Sequence, residues 1–311
     1  MQAVQIRSHG GPEVLEVVDV SPPDAAQGSL PVAVAAIGVN YRDVYEREGA
    51  YGGQLPRIIG VEGAGSVDGS GERVAWISAP GSYAEHVAVD PDLAVPIPDD
   101  ISDEVAAAGL LQGITAQYLA TSTHEVQAGQ NVLVHAAAGG VGLLLTQIAA
   151  MRGGRVIATT STEEKAELAR AAGAAEVIGY DGFAERVKEL TDGVGVDVVY
   201  DGVGAATFDE SLAALKPRGD MVLFGAASGR VPPFDPMRLE GSGSLFLTRP
   251  GIRHYTATPE ELRMRARDVF AWISEGKLDV RIGGRYPLAE ARRAHEDLEA
   301  RRTTGKLLLI P

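Results

Sequence analysis

Apolar residues along this chain follow two rhythms, and the change between them divides it into three parts. From Met1 to about Leu111, short β-type runs are cut by Gly and Pro: Ala3–Arg7, Leu15–Val20, Pro31–Val39, Gly63–Asp68, Arg73–Ile77 and Ser82–Val89. That spacing predicts an irregular, mostly antiparallel β domain. From Thr115 to about Phe246, apolar runs alternate with helical stretches, which predicts an α/β segment built on a doubly wound sheet of six parallel strands. Its strands are read as Asn131–His135, Arg155–Thr160, Glu176–Ile178, Asp197–Tyr200, Met221–Phe224 and Leu245–Leu247. The remainder begins with helical Pro259–Ser274, passes a strand near Gly284–Tyr286 and an amphipathic helix from Leu288 to Arg302, and ends in strand Lys306–Ile310. A lone terminal strand needs a sheet to join, so the chain is expected to return to its first β domain. The expected boundaries are 1–114, 115–250 and 251–311, the middle part being an insertion. No repeat, low-complexity tract or long linker interrupts this pattern.

Composition narrows the chemistry. A hydrophobic share of 45% and a charged share of 23% are those of an ordinary globular protein. No apolar run is long enough to span a bilayer and no charged-then-apolar leader opens the chain, so a cytoplasmic protein without membrane insertion is expected. Zero cysteines exclude disulfides, thiolate metal sites and a Cys nucleophile. A net charge of −14 disfavours nucleic acid as a partner.

The segment Gln130-Asn-Val-Leu-Val-His-Ala-Ala-Ala-Gly-Gly-Val-Gly-Leu143 carries the strongest chemical signal. A strand runs into a helix through a turn with almost no side chains, where Gly139, Gly140, Val141 and Gly142 offer backbone N–H groups and a helix N-terminus to a pyrophosphate. Close packing of helix on strand explains the same glycines without a ligand. Six strands suit a dinucleotide, and the tip of the second strand decides which one. Here Ile157-Ala-Thr-Thr-Ser-Thr-Glu-Glu-Lys165 has no acid at the tip, but hydroxyls at Thr160, Ser161 and Thr162 and then Lys165. That set favours a 2′-phosphate, hence NADPH over NADH. Ser161 and Glu164 also match a capping box, which accounts for Ser161 without a ligand.

These residues resemble the zinc-independent, ζ-crystallin-like quinone oxidoreductases of the medium-chain dehydrogenase/reductase superfamily. The resemblance covers essentially the whole chain. It is carried by Gly38-Val-Asn-Tyr-Arg-Asp43, Ala136-Ala-Ala-Gly-Gly-Val-Gly142, Val199-Tyr-Asp-Gly-Val-Gly204, Val222-Leu-Phe-Gly225 and Thr304-Gly-Lys-Leu-Leu-Leu-Ile-Pro311. It implies a GroES-like catalytic domain interrupted by a Rossmann domain, and a homodimer for which Leu245–Leu247 is a candidate edge. It places Ser161, Lys165 and Tyr180 at the 2′-phosphate. Asn40, Thr115, Phe224, Gly225, Ala226 and Phe246, Leu247 and Thr248 fall on the nicotinamide side, with Arg301 or Arg302 as further candidates. Ala150 departs from the basic or serine residue of the family pattern, and Ser66-Val-Asp-Gly-Ser-Gly-Glu-Arg73 is a shorter, tighter hairpin than usual.

Zinc-dependent relatives carry a Cys where Asn40 stands and Gly-His-Glu where this chain has Gly60-Val-Glu62. Both ligands are lost, and His9, His86, His124, His135, His254 and His295 are scattered without metal-binding spacing, so no metal is expected. Without a Lewis acid an unactivated alcohol is a difficult substrate. A quinone or conjugated carbonyl instead takes the incoming charge on an oxygen that hydrogen bonds stabilise. The resemblance puts Tyr45 and Tyr51 at the substrate cleft as candidate catalytic donors, with packing under the β domain as the plain alternative. The expected activity is an NADPH:quinone oxidoreductase working by hydride or electron transfer. An enoyl or alkenal double-bond reductase and a non-catalytic NADPH-binding protein remain as alternatives. A methyltransferase would want an acid after the second strand and leaves the split β domain unexplained.

Overall fold

Most apolar runs near the N-terminus become short strands because Gly, Pro and charged residues stop them within a few residues; the run from Leu30 to Val39 is the long exception. In the computed structural model, which describes residues 1–23 and 28–311, Met1–Gln112 with Thr258–Pro311 form one unit and Gly113–Ala257 a second. The first unit begins with β1 (Gln2–Ile6), β2 (Glu16–Asp19), β3 (Leu30–Val39), α1 (Tyr41–Arg47), β4 (Arg57–Ile58), β5 (Gly63–Val67), β6 (Arg73–Trp76), β7 (His86–Val89) and β8 (Ala94–Pro96). Helix α2 (Asp103–Tyr118) then leads into the second unit.

There, strand and helix alternate through β9 (Asn131–Val134), α3 (Gly140–Met151), β10 (Arg155–Thr159), α4 (Glu163–Ala171), β11 (Glu176–Ile178), α5 (Phe183–Leu190), β12 (Val196–Asp201), α6 (Phe208–Ala214), β13 (Leu215–Leu223), α7 (Met237–Gly241) and β14 (Phe246–Thr248). The strands pair in the order β11-β10-β9-β12-β13-β14, and every pairing is parallel. This is the doubly wound arrangement, whose inner strands are covered on both faces and read as unbroken apolar runs. Val132, Leu133 and Val134 of β9 and Val198, Val199 and Tyr200 of β12 are all fully buried.

The chain returns through α8 (Pro259–Ser274), β15 (Ile282–Pro287), α9 (Ala291–Glu299) and β16 (Lys306–Ile310). As the lone terminal strand requires, β16 joins the sheet of β3, β5, β6 and β8: it runs antiparallel to β3, with Leu307 opposite Val39 and Leu309 opposite Ile37, and parallel to β15. Leu307, Leu308 and Leu309 are buried; each contributes about 1.5–3 kcal/mol relative to exposure. The hairpin expected at 66–73 is present, with Ser66 opposite Arg73 and left-handed Gly69 and Gly71 in its turn.

Several elements differ from the sequence reading. β13 starts at Leu215 rather than Met221. Between Pro217 and Gly219, Arg218 enters the left-handed region (φ 61°), and the chain bulges without leaving the sheet. The helix expected from Leu288 to Arg302 opens as a tight turn over Leu288–Glu290 and ends at Glu299, since Arg301 is left-handed (φ 56°). Strands β4 and β8, two and three residues long, are too short for periodicity to register.

Candidate active site

The carboxyl ends of β9 to β14 share one edge of the parallel sheet, the edge at which such sheets hold ligands. After β9 the chain turns at Ala136, left-handed at φ 49°, and Gly139 precedes α3 in extended conformation (φ −77°, ψ 171°). No side chain caps α3, so its first-turn N–H groups are available to an external anion. A Cβ on Gly142 would lie 2.3 Å from Ala136 O, whereas one on Gly139 would meet only that oxygen, at 3.2 Å. Packing alone therefore requires Gly142, while the space beside Gly139 is left open by the protein's own atoms apart from that one oxygen.

Ser161 and Lys165 follow β10 on the same edge. The capping box expected at Ser161 is not formed: Thr162 is the cap and accepts the Lys165 N–H at 3.3 Å. The chain stays extended one residue longer than the motif suggests, so the exposed Ser161 hydroxyl is not consumed by the helix and lies 3.5 Å from Lys165 Nζ. Tyr180, just beyond β11, reaches over the neighbouring strand ends. Its Oη accepts the N–H of Ala136 at 3.0 Å, and its ring stacks on His135. The turn and the three residues expected at the 2′-phosphate are thus gathered at one edge.

Phe224, Gly225 and Ala226 follow β13. The N–H groups of Phe224 and Gly225 donate to Asp201 O at 2.8 and 3.2 Å. A Cβ on Gly225 would stand 2.3 Å from Gly202 O, so the two segments touch through bare backbone. The Asp201 side chain holds the crossing, accepting the N–H groups of Val203 and Gly204 at 2.7 and 2.9 Å and the Thr207 hydroxyl at 2.7 Å. Leu247 and Thr248 are half-buried on β14, Phe246 is 63% exposed, and Thr115 is buried on α2. Asp201 escaped the sequence reading as a functional residue, although an Asp before Gly-x-Gly at a strand end signals a side chain that organises the turn after it.

In the first unit, buried Asn40 sits before α1 with its side chain fully engaged. Its Nδ2 donates to Glu62 Oε2 at 2.8 Å and to Gly38 O at 3.3 Å, while its Oδ1 accepts from Lys306 Nζ at 2.7 Å. Lys306 also pairs with Glu62, and both are buried. The other Glu62 oxygen accepts the Leu111 N–H at 2.7 Å. A Cβ on Gly38 would lie 2.3 Å from Glu62 Oε2, so the Gly38 of the motif is the space this pair occupies. Lys306 too was missed; a charge opening an apolar terminal strand has to be paired when buried.

A second buried cluster fixes α1. Burial pushes the Asp43 carboxyl up to about 6, against the pull of Arg42 and the Asn40 N–H. Asp43 accepts that N–H at 2.9 Å and the Tyr83 hydroxyl at 3.1 Å. Burial, and then Asp43, hold the Tyr83 phenol well above its usual range, so it stays a donor. His295 is pushed down to about 3 by burial and by Arg47. It accepts from Arg47 at Nδ1 and donates from Nε2 to Tyr83, each at 3.1 Å. Tyr45 is half-buried on α1 with its ring 5.9 Å from that of Tyr41. Tyr51 lies beyond the helix, 57% exposed, under the Arg42 guanidinium. Arg302 is bound to Asp297 at 2.6 Å. Among the described residues no group of three or more His, Asp or Glu is arranged to hold a metal ion.

Two family models match the chain: the alcohol dehydrogenase GroES-like domain over residues 26–99 and the zinc-binding dehydrogenase over residues 140–262. A quinone oxidoreductase of Pseudomonas aeruginosa is 45% identical over 99% of each chain. A 2-haloacrylate reductase of a Burkholderia species is 39% identical, covering 100% of this chain and 99% of its own. The crystal structure of Escherichia coli quinone oxidoreductase complexed with NADPH superposes with a TM-score of 0.98, at 41% identity over 100% of both chains. The chain belongs to the ζ-crystallin-like quinone oxidoreductase family of the medium-chain dehydrogenase/reductases.

Proposed function

We propose that this chain is an NADPH-dependent reductase of quinones that works without zinc. The observation that carries the reading is the uncapped N-terminus of α3, beside the Ser161–Lys165–Tyr180 group on one edge of the sheet. In this reading Gly139, Gly140, Val141 and Gly142 hold the diphosphate, and Ser161, Lys165 and Tyr180 bind the 2′-phosphate. Asn40, Thr115, Phe224, Gly225, Ala226 and Phe246–Thr248 serve the nicotinamide side.

NADPH, when bound, supplies the hydride. The protein's own part is to orient the acceptor and to answer the charge that forms on its oxygen. Tyr45 and Tyr51 donate hydrogen bonds to that oxygen, and water supplies the proton that completes a hydroquinone. The zinc-free reading is supported by Glu62, whose carboxylate already accepts from Lys306, Asn40 and the Leu111 N–H. At the position of the missing His stands Val61, which has no donor atom.

The resemblance to a 2-haloacrylate reductase favours a second reading, reduction of a conjugated carbon–carbon double bond on the same site. NADPH oxidation measured against a panel of quinones and a panel of enals and enoyl thioesters separates the two. Turnover of quinones is expected; turnover confined to the second panel transfers the assignment to the double-bond reductase. We also take the protein to act in the cytoplasm, where NADPH is available; no described helix is long and apolar enough to cross a membrane, and recovery in a membrane fraction would oppose this. The assembly is taken to be a homodimer joined at β14.

A further inference from the structure

His135 ends the run of β9, immediately before the Gly-rich turn, and has no role in the site as read so far. Its Nδ1 is 2.8 Å from Thr159 Oγ1, at the end of β10, and its Nε2 is 3.0 Å from Ser211 Oγ, on α6. Ser211 in turn donates to Asp201 Oδ2 at 3.1 Å. Because the Ser211 proton goes to Asp201, Ser211 accepts from His135, and Nε2 carries the imidazole hydrogen. Nδ1 is then bare and accepts from Thr159. The bonds run one way, from Thr159 to His135 to Ser211 to Asp201, an arrangement in which each bond polarises the next. Thr159, His135, Ser211, Asp201 and Thr207 are all buried. No substrate reaches Ser211, so this Ser, His and Asp set is not a nucleophilic triad.

What the relay joins is informative. Thr159 adjoins the Thr160–Ser161 segment, His135 adjoins the turn, and Asp201 holds the crossing from which Phe224–Ala226 hang. We infer that His135 is a positioning residue of the dinucleotide site, locking the strand ends that receive the adenosine and diphosphate to the Asp201 crossing that receives the nicotinamide. Burial keeps the imidazole neutral, as the one-way relay requires. The inference rests on the NADPH reading given above. Groups that orient a site from behind it typically change its affinity or activity by about 10–100-fold when removed.

The test compares two probes, NADPH and adenosine 2′,5′-bisphosphate, which carries the phosphate half alone. Both are titrated against the parent protein, His135→Leu, Ser211→Ala and His135→Gln. His135→Leu and Ser211→Ala are expected to weaken NADPH about tenfold while leaving the bisphosphate within about twofold. His135→Gln recovers most of the loss, because its amide can accept from Thr159 and donate to Ser211. The difference between the probes is the readout that general damage to the fold does not produce. Ser211→Ala removes one hydroxyl, so it tests the relay even if His135→Leu fails to fold. Variants that lose both probes equally, or neither, overturn the inference while the NADPH reading stands. A parent protein that binds neither probe removes that reading, and the inference with it.

Discussion

In the proposed function, Lys165 is the residue on which the choice between NADPH and NADH turns. Its Nζ lies beside the Ser161 hydroxyl, and no acid stands at the tip of β10 to claim a ribose 2′-OH. A charge-assisted hydrogen bond contributes about 1.5–3 kcal/mol, so Lys165→Ala is expected to weaken NADPH about 10- to 100-fold. NADH, which lacks the 2′-phosphate, is expected to lose little. Titration of both cofactors against the variant checks this, and an equal loss for both would refute the phosphate role. The proximity of Ser161 and Lys165 was legible from residue types and spacing alone, since both follow one strand end. The part that was not legible is which hydroxyl caps α4. Ser161 and Thr162 both match an N-cap, and only the backbone conformation at Thr162 (φ −146°, ψ 158°) decides between them. The consequence is chemical: Thr162 spends its oxygen on the helix and Ser161 does not.

At the scale of elements, periodicity read well where an element buries a continuous face and poorly where a bulge or a turn intervenes. Strands β11 and β16 and helix α8 have the bounds expected from sequence, since each is an apolar or amphipathic run closed by clear stops. β13 does not, because a bulge at Arg218 lies inside the strand and interrupts its apolar run. β14 carries the proposal of assembly. Among the described residues it pairs only with β13, and it leaves Phe246 exposed. An unprotected apolar edge invites a second strand, and a lysine there opposes pairing. Phe246→Lys is therefore expected to shift the mass measured by light scattering from dimer to monomer without loss of far-ultraviolet dichroism. A parent protein of monomer mass, or a variant that remains a dimer, would rule out this edge as the interface.

Across the whole molecule, the two units are expected to answer acid differently, because their buried titratable groups differ. In the unit Gly113–Ala257, burial pushes His135 from 6.5 down to about 4, with Asp201 pulling the other way. Between those values the unfolded chain binds a proton that the folded unit refuses. Stability from this group is complete above 6.5 and is lost as the pH falls, at about 1.4 kcal/mol per pH unit. The other unit contains His295, pushed down to about 3, and Asp43, pushed up to about 6. His295 costs stability on acidification in the same way. Asp43 acts oppositely: between about 6 and 3.8 the folded unit keeps a proton that the unfolded chain has released, so acid favours the fold. From pH 6 to pH 4 these two contributions cancel, and this unit should hold its stability while the nucleotide unit weakens. Hydrogen exchange resolved by segment reads the opening free energy of each unit separately. Asp43→Asn removes the opposing group, so the first unit should then lose about 1.4 kcal/mol per pH unit over the same range. Exposed ion pairs are common to both proteins and drop out of that difference. An unchanged pH slope in Asp43→Asn would mean that Asp43 is already ionised throughout this range, and that the buried cluster around α1 is held by charge rather than by a shared proton.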